Sequence, residues 1–146
     1  YDPYINETYC SSHGIEAVSF EELMSRSNVV SLHLPLLDST YHLIDRKAIE
    51  RLPQGAILVN ASRGGIIDED AAYEALKSGK LFGLGLDAFE TEPPKASKLF
   101  ELDNVIATPH TGAHTREATE HMADLSIKNL MDVLSGRECP FVINEK

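Results

Sequence analysis

Three short segments of this sequence carry side chains that together support one kind of chemistry. Ala61-Ser62-Arg63-Gly64-Gly65 flanks an arginine with small residues, Glu90-Thr91-Glu92-Pro93-Pro94 sets carboxylates ahead of two prolines, and Pro109-His110-Thr111-Gly112-Ala113 sets a histidine among small residues. An arginine with little bulk around it presents its planar fork to a carboxylate through two parallel hydrogen bonds. A histidine takes up and releases protons near neutral pH, and a neighbouring glutamate holds the proton on one ring nitrogen. The set suits reversible proton transfer at a hydroxyl or carbonyl beside a carboxylate, coupled to hydride transfer from a cofactor.

Each segment follows a predicted strand. Apolar runs at Val29–Leu34, Ala56–Asn60, Leu81–Ala88 and Val105–Thr108, with a weaker one at Gly14–Val18, alternate with amphipathic stretches. That alternation predicts an α/β fold with a parallel sheet. The runs are nearly continuous, as in strands covered on both faces, so the sheet is expected to be doubly wound.

Helix boundaries are also marked. Ser19 and Glu22 form a capping-box pair that opens a helix over Phe20–Arg26, and Asp45 caps Arg46–Leu52, which Pro53 and Gly55 end. Asp68 caps Glu69–Ser78, with Gly79 as its stop, and the longest helix, Arg116–Leu134, runs up to Gly136. Ala118, Met122, Leu125, Leu130 and Val133 recur along it at helical spacing. Ligands of open parallel sheets bind at the carboxyl ends of the strands, and neighbouring strands lie about 5 Å apart. Arg63, Glu92 and His110 are therefore expected along one edge of one sheet. No internal repeat, linker or second domain is visible.

Composition excludes several rival classes. The 146 residues carry a formal charge of −10, against the basic patches that nucleic acid or an anionic membrane requires. The longest uncharged apolar-rich stretches, Ser27–Leu37 and Leu52–Ser62, have 11 residues each and are too short to span a bilayer. Two cysteines, Cys10 and Cys139, make neither a disulfide framework nor a metal site, which points to a reducing, cytoplasmic setting. His114, Glu117 and His121 have helical spacing but read as solvated polar residues, so no metal is expected. The chain starts at Tyr1 with no Met and no signal-peptide pattern, as a piece of a longer protein would.

In order, Asn60-Ala61-Ser62-Arg63-Gly64-Gly65-Ile66-Ile67-Asp68-Glu69, Gly85-Leu86-Asp87-Ala88-Phe89-Glu90-Thr91-Glu92-Pro93 and Thr108-Pro109-His110-Thr111-Gly112 closely resemble the D-isomer-specific 2-hydroxyacid dehydrogenases. That family includes phosphoglycerate, glycerate/hydroxypyruvate and D-lactate dehydrogenases. The stretch Ser31–Asp45, with His33-Leu34-Pro35-Leu36 and Ser39-Thr40-Tyr41-His42-Leu43-Ile44, is also similar to the family's segment ahead of the arginine motif. The resemblance implies a Rossmann-like doubly wound sheet, NAD as cofactor, and a small 2-hydroxy or 2-oxo acid as substrate. It implies that Arg63 binds the substrate carboxylate, that His110 is the general acid and base, and that Glu92 is its carboxylate partner. It places Leu34, Pro35, Thr40, Ala61, Ser62, Arg63, Asp87, His110 and Gly112 at the cofactor, with Asp87 at the nicotinamide end. Asp2 matches the acid that bonds the adenine ribose hydroxyls and so favours NAD over NADP. A homodimer is the expected assembly.

The departures are as informative. A full family member has a substrate domain, then a strand and a Gly-x-Gly-x-x-Gly loop, before the point matching Tyr1. This chain's only match to that spacing, Gly83-x-Gly85-x-x-Ala88, falls inside a predicted strand and is followed by prolines rather than a helix. Residues 1–146 are thus expected to be an incomplete NAD-binding domain without its first βα unit, the tail 137–146 returning towards the missing substrate domain. By itself this stretch is expected to bind NAD poorly and to be inactive. Two relatives of the fold stand as alternatives: NAD-sensing transcriptional corepressors, and formate dehydrogenases, which usually carry Gln where Glu92 stands.

Overall fold

The structure, a computed structural model, describes residues 1–94 and 97–143, so residues 144–146 of the predicted returning tail lie outside the described residues. The chain divides into two units, Tyr1–His110 and Thr111–Lys146. In the first unit the order is α1 (Glu7–Ser12), α2 (Phe20–Arg26), β1 (Val29–Leu32), α3 (Arg46–Arg51), β2 (Ala56–Asn60), α4 (Glu69–Lys77), β3 (Leu81–Leu86), a 3-10 turn (Lys98–Glu101) and β4 (Val105–Ala107). The second unit holds α5 (Arg116–Leu134).

The helices begin where side chains can satisfy their first backbone N–H groups. The Ser19 hydroxyl accepts from the Glu22 amide at 3.2 Å while the Glu22 carboxylate accepts from the Ser19 amide at 2.9 Å, the reciprocal pair read from the sequence. Asp45 and Asp68 accept from the amides of Ala48 and Ala71 at 2.8 and 2.9 Å. Helix α1, opened by Asn6, is an element the sequence reading did not identify.

The four strands form one parallel sheet in the order β1-β2-β3-β4, as the βα alternation predicts. Its register aligns the strand ends. Leu32 pairs with Asn60, Asn60 with Leu86, and Leu86 with Ala107, so one row of residues closes all four strands. The chain leaves the sheet immediately beyond that row, which is why β1, β3 and β4 end earlier than their apolar runs.

Val30, Leu58 and Leu84 turn inward along a neighbouring row and are buried with Met24 of α2, Ile49 of α3 and Ala72 and Leu76 of α4. Ile44 and Ile67 add a parallel bridge beside them. Each such side chain contributes about 2 kcal/mol on leaving water. Continuous apolar runs predict cover on both faces, yet burial alternates along β1, where Val29 is 58% exposed, and Ile106 of β4 is 76% exposed. Helices α2, α3 and α4 contact one another in sequence and so line one side of the sheet, while on its other side Val29 and Ile106 are exposed and Ile57 and Val59 half-buried. The predicted strand at Gly14–Val18 does not form; its residues follow α1 as irregular chain, with Ile15 half exposed. A strand needs a neighbour's ladder, and β1's only ladder partner among the described residues is β2.

In the second unit, the α5 boundaries agree with the sequence reading, opened by Thr115 and closed before Gly136 at φ 69°. Its apolar stripe is largely open: Met122, Leu130 and Val133 are each more than half exposed. No helix of the described residues is long and apolar enough to cross a membrane.

Candidate active site

Asn60, the last residue of β2, builds the arginine turn from within. Its side chain is 1% exposed, and its amide nitrogen donates to the Arg63 carbonyl at 2.8 Å. Its oxygen accepts from the Ser62 amide at 3.1 Å and from the Ser62 hydroxyl at 2.8 Å. The turn is thereby closed around a buried amide, and Arg63 is left exposed, with Nη1 donating to the Ser62 carbonyl at 2.7 Å. The two glycines that follow have separate reasons. A Cβ on Gly64 would fall 1.8 Å from the Phe89 carbonyl oxygen, whereas Gly65 adopts φ 78° with the Tyr41 ring over it. Bare backbone is required at the first and positive φ at the second.

Beyond β3, Asp87 is buried and accepts from the Thr108 hydroxyl at 2.5 Å, which joins the ends of β3 and β4. Two residues further along β4's exit, His110 has φ 53°, a conformation that side-chain-bearing residues seldom adopt. Such local strain persists only where the surroundings impose it. Nδ1 of His110 lies 3.0 and 2.9 Å from the two oxygens of Glu92. The Phe89 amide donates to one of those oxygens at 3.1 Å. The imidazole bond first, and the Phe89 N–H second, hold the Glu92 carboxyl below its ordinary pKa. A cavity of about 300 Å³ opens beside the pair, lined by Phe89, Glu92, Pro93, Pro94, Pro109 and His110.

The other predicted residues have definite places. Thr40 ties the segment after β1, its hydroxyl donating to the Pro35 carbonyl at 2.8 Å and accepting from the Leu37 amide at 2.7 Å. Leu34 is half-buried and Pro35 exposed along the same exit. Ala61 is exposed beside half-buried Ser62. Asp2 sits in an exposed turn, where its carboxylate accepts from the Tyr4 amide at 2.7 Å; with Phe20, Met24 and Leu34 it lines a cavity of about 260 Å³. Gly112 belongs to the second unit. Gly83 and Gly85 lie within β3, so the spacing match there is a strand and no phosphate loop. Among the described residues, no group of three His, Cys, Asp or Glu is placed to hold a metal ion.

The structure thus brings Glu92 and His110 into contact, and sets Arg63 on the turn whose Gly64 abuts the Phe89–Glu90 peptide. Three further residues, quoted within the motifs, carry no assigned role in the sequence. Asn60 had a signal, a polar residue ending an apolar strand. Thr108 sits within the quoted histidine motif, but its bond to Asp87 joins positions 21 apart. His42 lies in the segment ahead of the arginine motif, and its ring meets Glu90, 48 positions away.

Nearly the whole chain is similar to known proteins. Residues 1–112 match the family described as D-isomer specific 2-hydroxyacid dehydrogenase, NAD binding domain. The chain is 46% identical over 145 residues to D-3-phosphoglycerate dehydrogenase of Methanocaldococcus jannaschii, covering 99% of this chain and 28% of that protein. It is 45% identical over 132 residues to glyoxylate reductase of Thermococcus litoralis, covering 90% of this chain and 40% of that protein. Among solved structures it is similar to D-lactate dehydrogenase from Aquifex aeolicus complexed with NAD and lactic acid, at TM-score 0.85 and 34% identity, covering 93% of this chain and 45% of that one. The chain therefore spans less than half the length of each of these proteins.

Proposed function

The chain belongs to the D-isomer specific 2-hydroxyacid dehydrogenases, as part of their NAD-binding domain, and we propose that the whole protein interconverts a D-2-hydroxy acid and its 2-oxo acid. The contact of His110 Nδ1 with both oxygens of Glu92 carries this reading. With Nδ1 committed to the carboxylate, Nε2 is the nitrogen that takes the proton from the substrate hydroxyl and returns it to the carbonyl. Glu92 stabilises the imidazolium formed in the forward step. Arg63 binds the substrate carboxylate with its fork and, from that anchor, aligns the C2 oxygen with His110. The apolar wall of Phe89, Pro93, Pro94 and Pro109 limits water beside the reacting carbon.

NAD supplies the hydride acceptor and donor when bound. Asp87, Thr40, Ser62, Ala61, Leu34, Pro35 and Gly112 are proposed to line its cleft, with Asp2 at the adenine ribose. The fit is partial on this chain's own residues. One residue beyond the strand-end row stands a buried carboxylate, Asp87, which supports its proposed place at the nicotinamide end, but the only glycine spacing of the dinucleotide fingerprint is consumed within β3. The reading makes residues 1–146 part of one NAD-binding domain, with the chain from Arg137 proposed to return towards the substrate domain. The sequence favours a phosphoglycerate or hydroxypyruvate type of substrate. The acidic charge of −10 leaves Arg63 a conspicuous docking point for an anion. Homodimerisation is supported by the exposed apolar residues of the open sheet face and of α5, and two scattered thiols suit a cytoplasmic setting.

A screen of 2-hydroxy and 2-oxo acids with the full-length protein, alongside Arg63→Ala and His110→Ala, tests the reading. Turnover with NAD that both variants lose is the expected result. Full turnover retained by both would sink the assignment.

A further inference from the structure

Arg63 and Glu92 reach the site from different loops, yet both loops rest on one peptide. The Phe89–Glu90 unit abuts Gly64, whose added Cβ would fall 1.8 Å from the Phe89 oxygen and 2.7 Å from the Glu90 nitrogen. The Phe89 amide also holds Glu92 at 3.1 Å. A shift of this peptide moves the arginine turn and the carboxylate together.

The peptide is in turn anchored from a third segment. His42 Nε2 lies 2.9 Å from Glu90 Oε1, and a carboxylate oxygen accepts, so the ring donates. The same oxygen accepts from the Glu69 amide at 3.2 Å, while the Glu90 amide donates to the Glu69 carboxylate at 2.8 Å. The His42 backbone amide donates to the Gly65 carbonyl at 2.7 Å. One residue thus grips the arginine turn with its backbone and the Phe89–Glu90 peptide with its ring. His42 adopts φ 49°, and its ring stacks on Tyr41 with centroids 4.0 Å apart. That backbone conformation is unfavourable for a residue with a side chain, so the surroundings hold it there.

We propose that His42 is a positioning residue, which through Glu90 fixes the Phe89–Glu90 peptide as the common support of the Arg63 turn and the Glu92–His110 pair. The inference rests on the roles given to Arg63, Glu92 and His110 above.

The test compares Glu90→Ala, Glu90→Gln and His42→Asn with the wild type in the full-length protein. Asparagine accepts positive φ but is too short to reach Glu90. The readouts are the carbon-13 NMR titration of the Glu92 carboxyl, thermal unfolding, and kcat and KM for hydroxy-acid oxidation. In Glu90→Ala and His42→Asn the Glu92 midpoint is expected to rise towards that of a free glutamate, and kcat/KM to fall by about tenfold. Glu90→Gln keeps an oxygen for both donors and is expected to restore both values. A lowered unfolding temperature with unchanged Glu92 titration and unchanged kcat/KM would overturn the proposal, since the contacts then serve stability alone. Failure of Glu90→Gln to differ from Glu90→Ala would also overturn it. The titration needs no turnover, so a wild type that oxidises no hydroxy acid counts against the proposed function while the titration still decides the role of His42.

Discussion

Glu92 straddles His110: both carboxylate oxygens lie within 3.0 Å of Nδ1, across the gap between the exits of β3 and β4. Neither residue is buried, with side chains 46% exposed for His110 and 38% for Glu92. The bond's worth therefore lies in orienting the ring rather than in stability, because solvent screens an exposed pair.

Glu92→Gln keeps the shape of the side chain and removes the charge that stabilises the imidazolium. It is expected to lower kcat/KM by about a hundredfold in the full-length protein, measured by initial rates, with little change in unfolding temperature. The pH dependence has a definite sign. The folded protein holds the Glu92 carboxyl below its ordinary value of 4.5, so its contribution is full above that value and is lost as pH falls through the lower folded value. Denaturation at successive acid pH values should show this loss in the wild type and not in Glu92→Gln, as a difference kept small by solvent screening of the exposed pair.

Gly64→Ala forces a Cβ onto the Phe89 carbonyl, where backbone rather than a movable side chain is met. The expected cost is about 3 kcal/mol, together with loss of turnover as the loop shifts. Gly65→Ala meets the Tyr41 ring at 3.4 Å, an ordinary van der Waals contact, so the positive-φ penalty of about 1 kcal/mol dominates. Urea unfolding of the two variants ranks them; equal costs would mean that the close approach at Gly64 is relieved without strain.

Asn60→Ala leaves the Arg63 carbonyl and the Ser62 amide without their buried partner. A loss of about 2 kcal/mol is expected from the unpaired groups. Because the turn carries Arg63, KM for the acid should rise more than kcat falls. A variant with wild-type KM would show that the turn holds its shape without Asn60.

Calorimetry of residues 1–146 with NAD should give an affinity weaker than micromolar. The glycines with fingerprint spacing lie in β3, and residues 87–94, which follow them, contain no helix N-terminus to receive a diphosphate. Micromolar binding would require a cradle elsewhere in these residues.

Much of this was legible in the sequence because its causes are local. Ser19 with Glu22, Asp45 and Asp68 mark helix starts through bonds spanning three residues, and the apolar runs mark strands by their spacing. The Gly14–Val18 run failed as a strand because pairing depends on a neighbour that local pattern does not contain. The same holds for the open sheet face, since apolar runs record what a strand is suited to pack against rather than what covers it.

For the site, the sequence by itself determined the chemistry: an arginine, a glutamate and a histidine placed after successive strands, in motifs specific enough to name a family. Only the tertiary structure decided how they are held. The row Leu32, Asn60, Leu86 and Ala107 brings the exits level through hydrogen bonds between strands. Gly64 needs no side chain because a peptide 25 residues later occupies the space, and His42 finds its partner 48 residues away. Such contacts depend on distance in space, which no local spacing encodes.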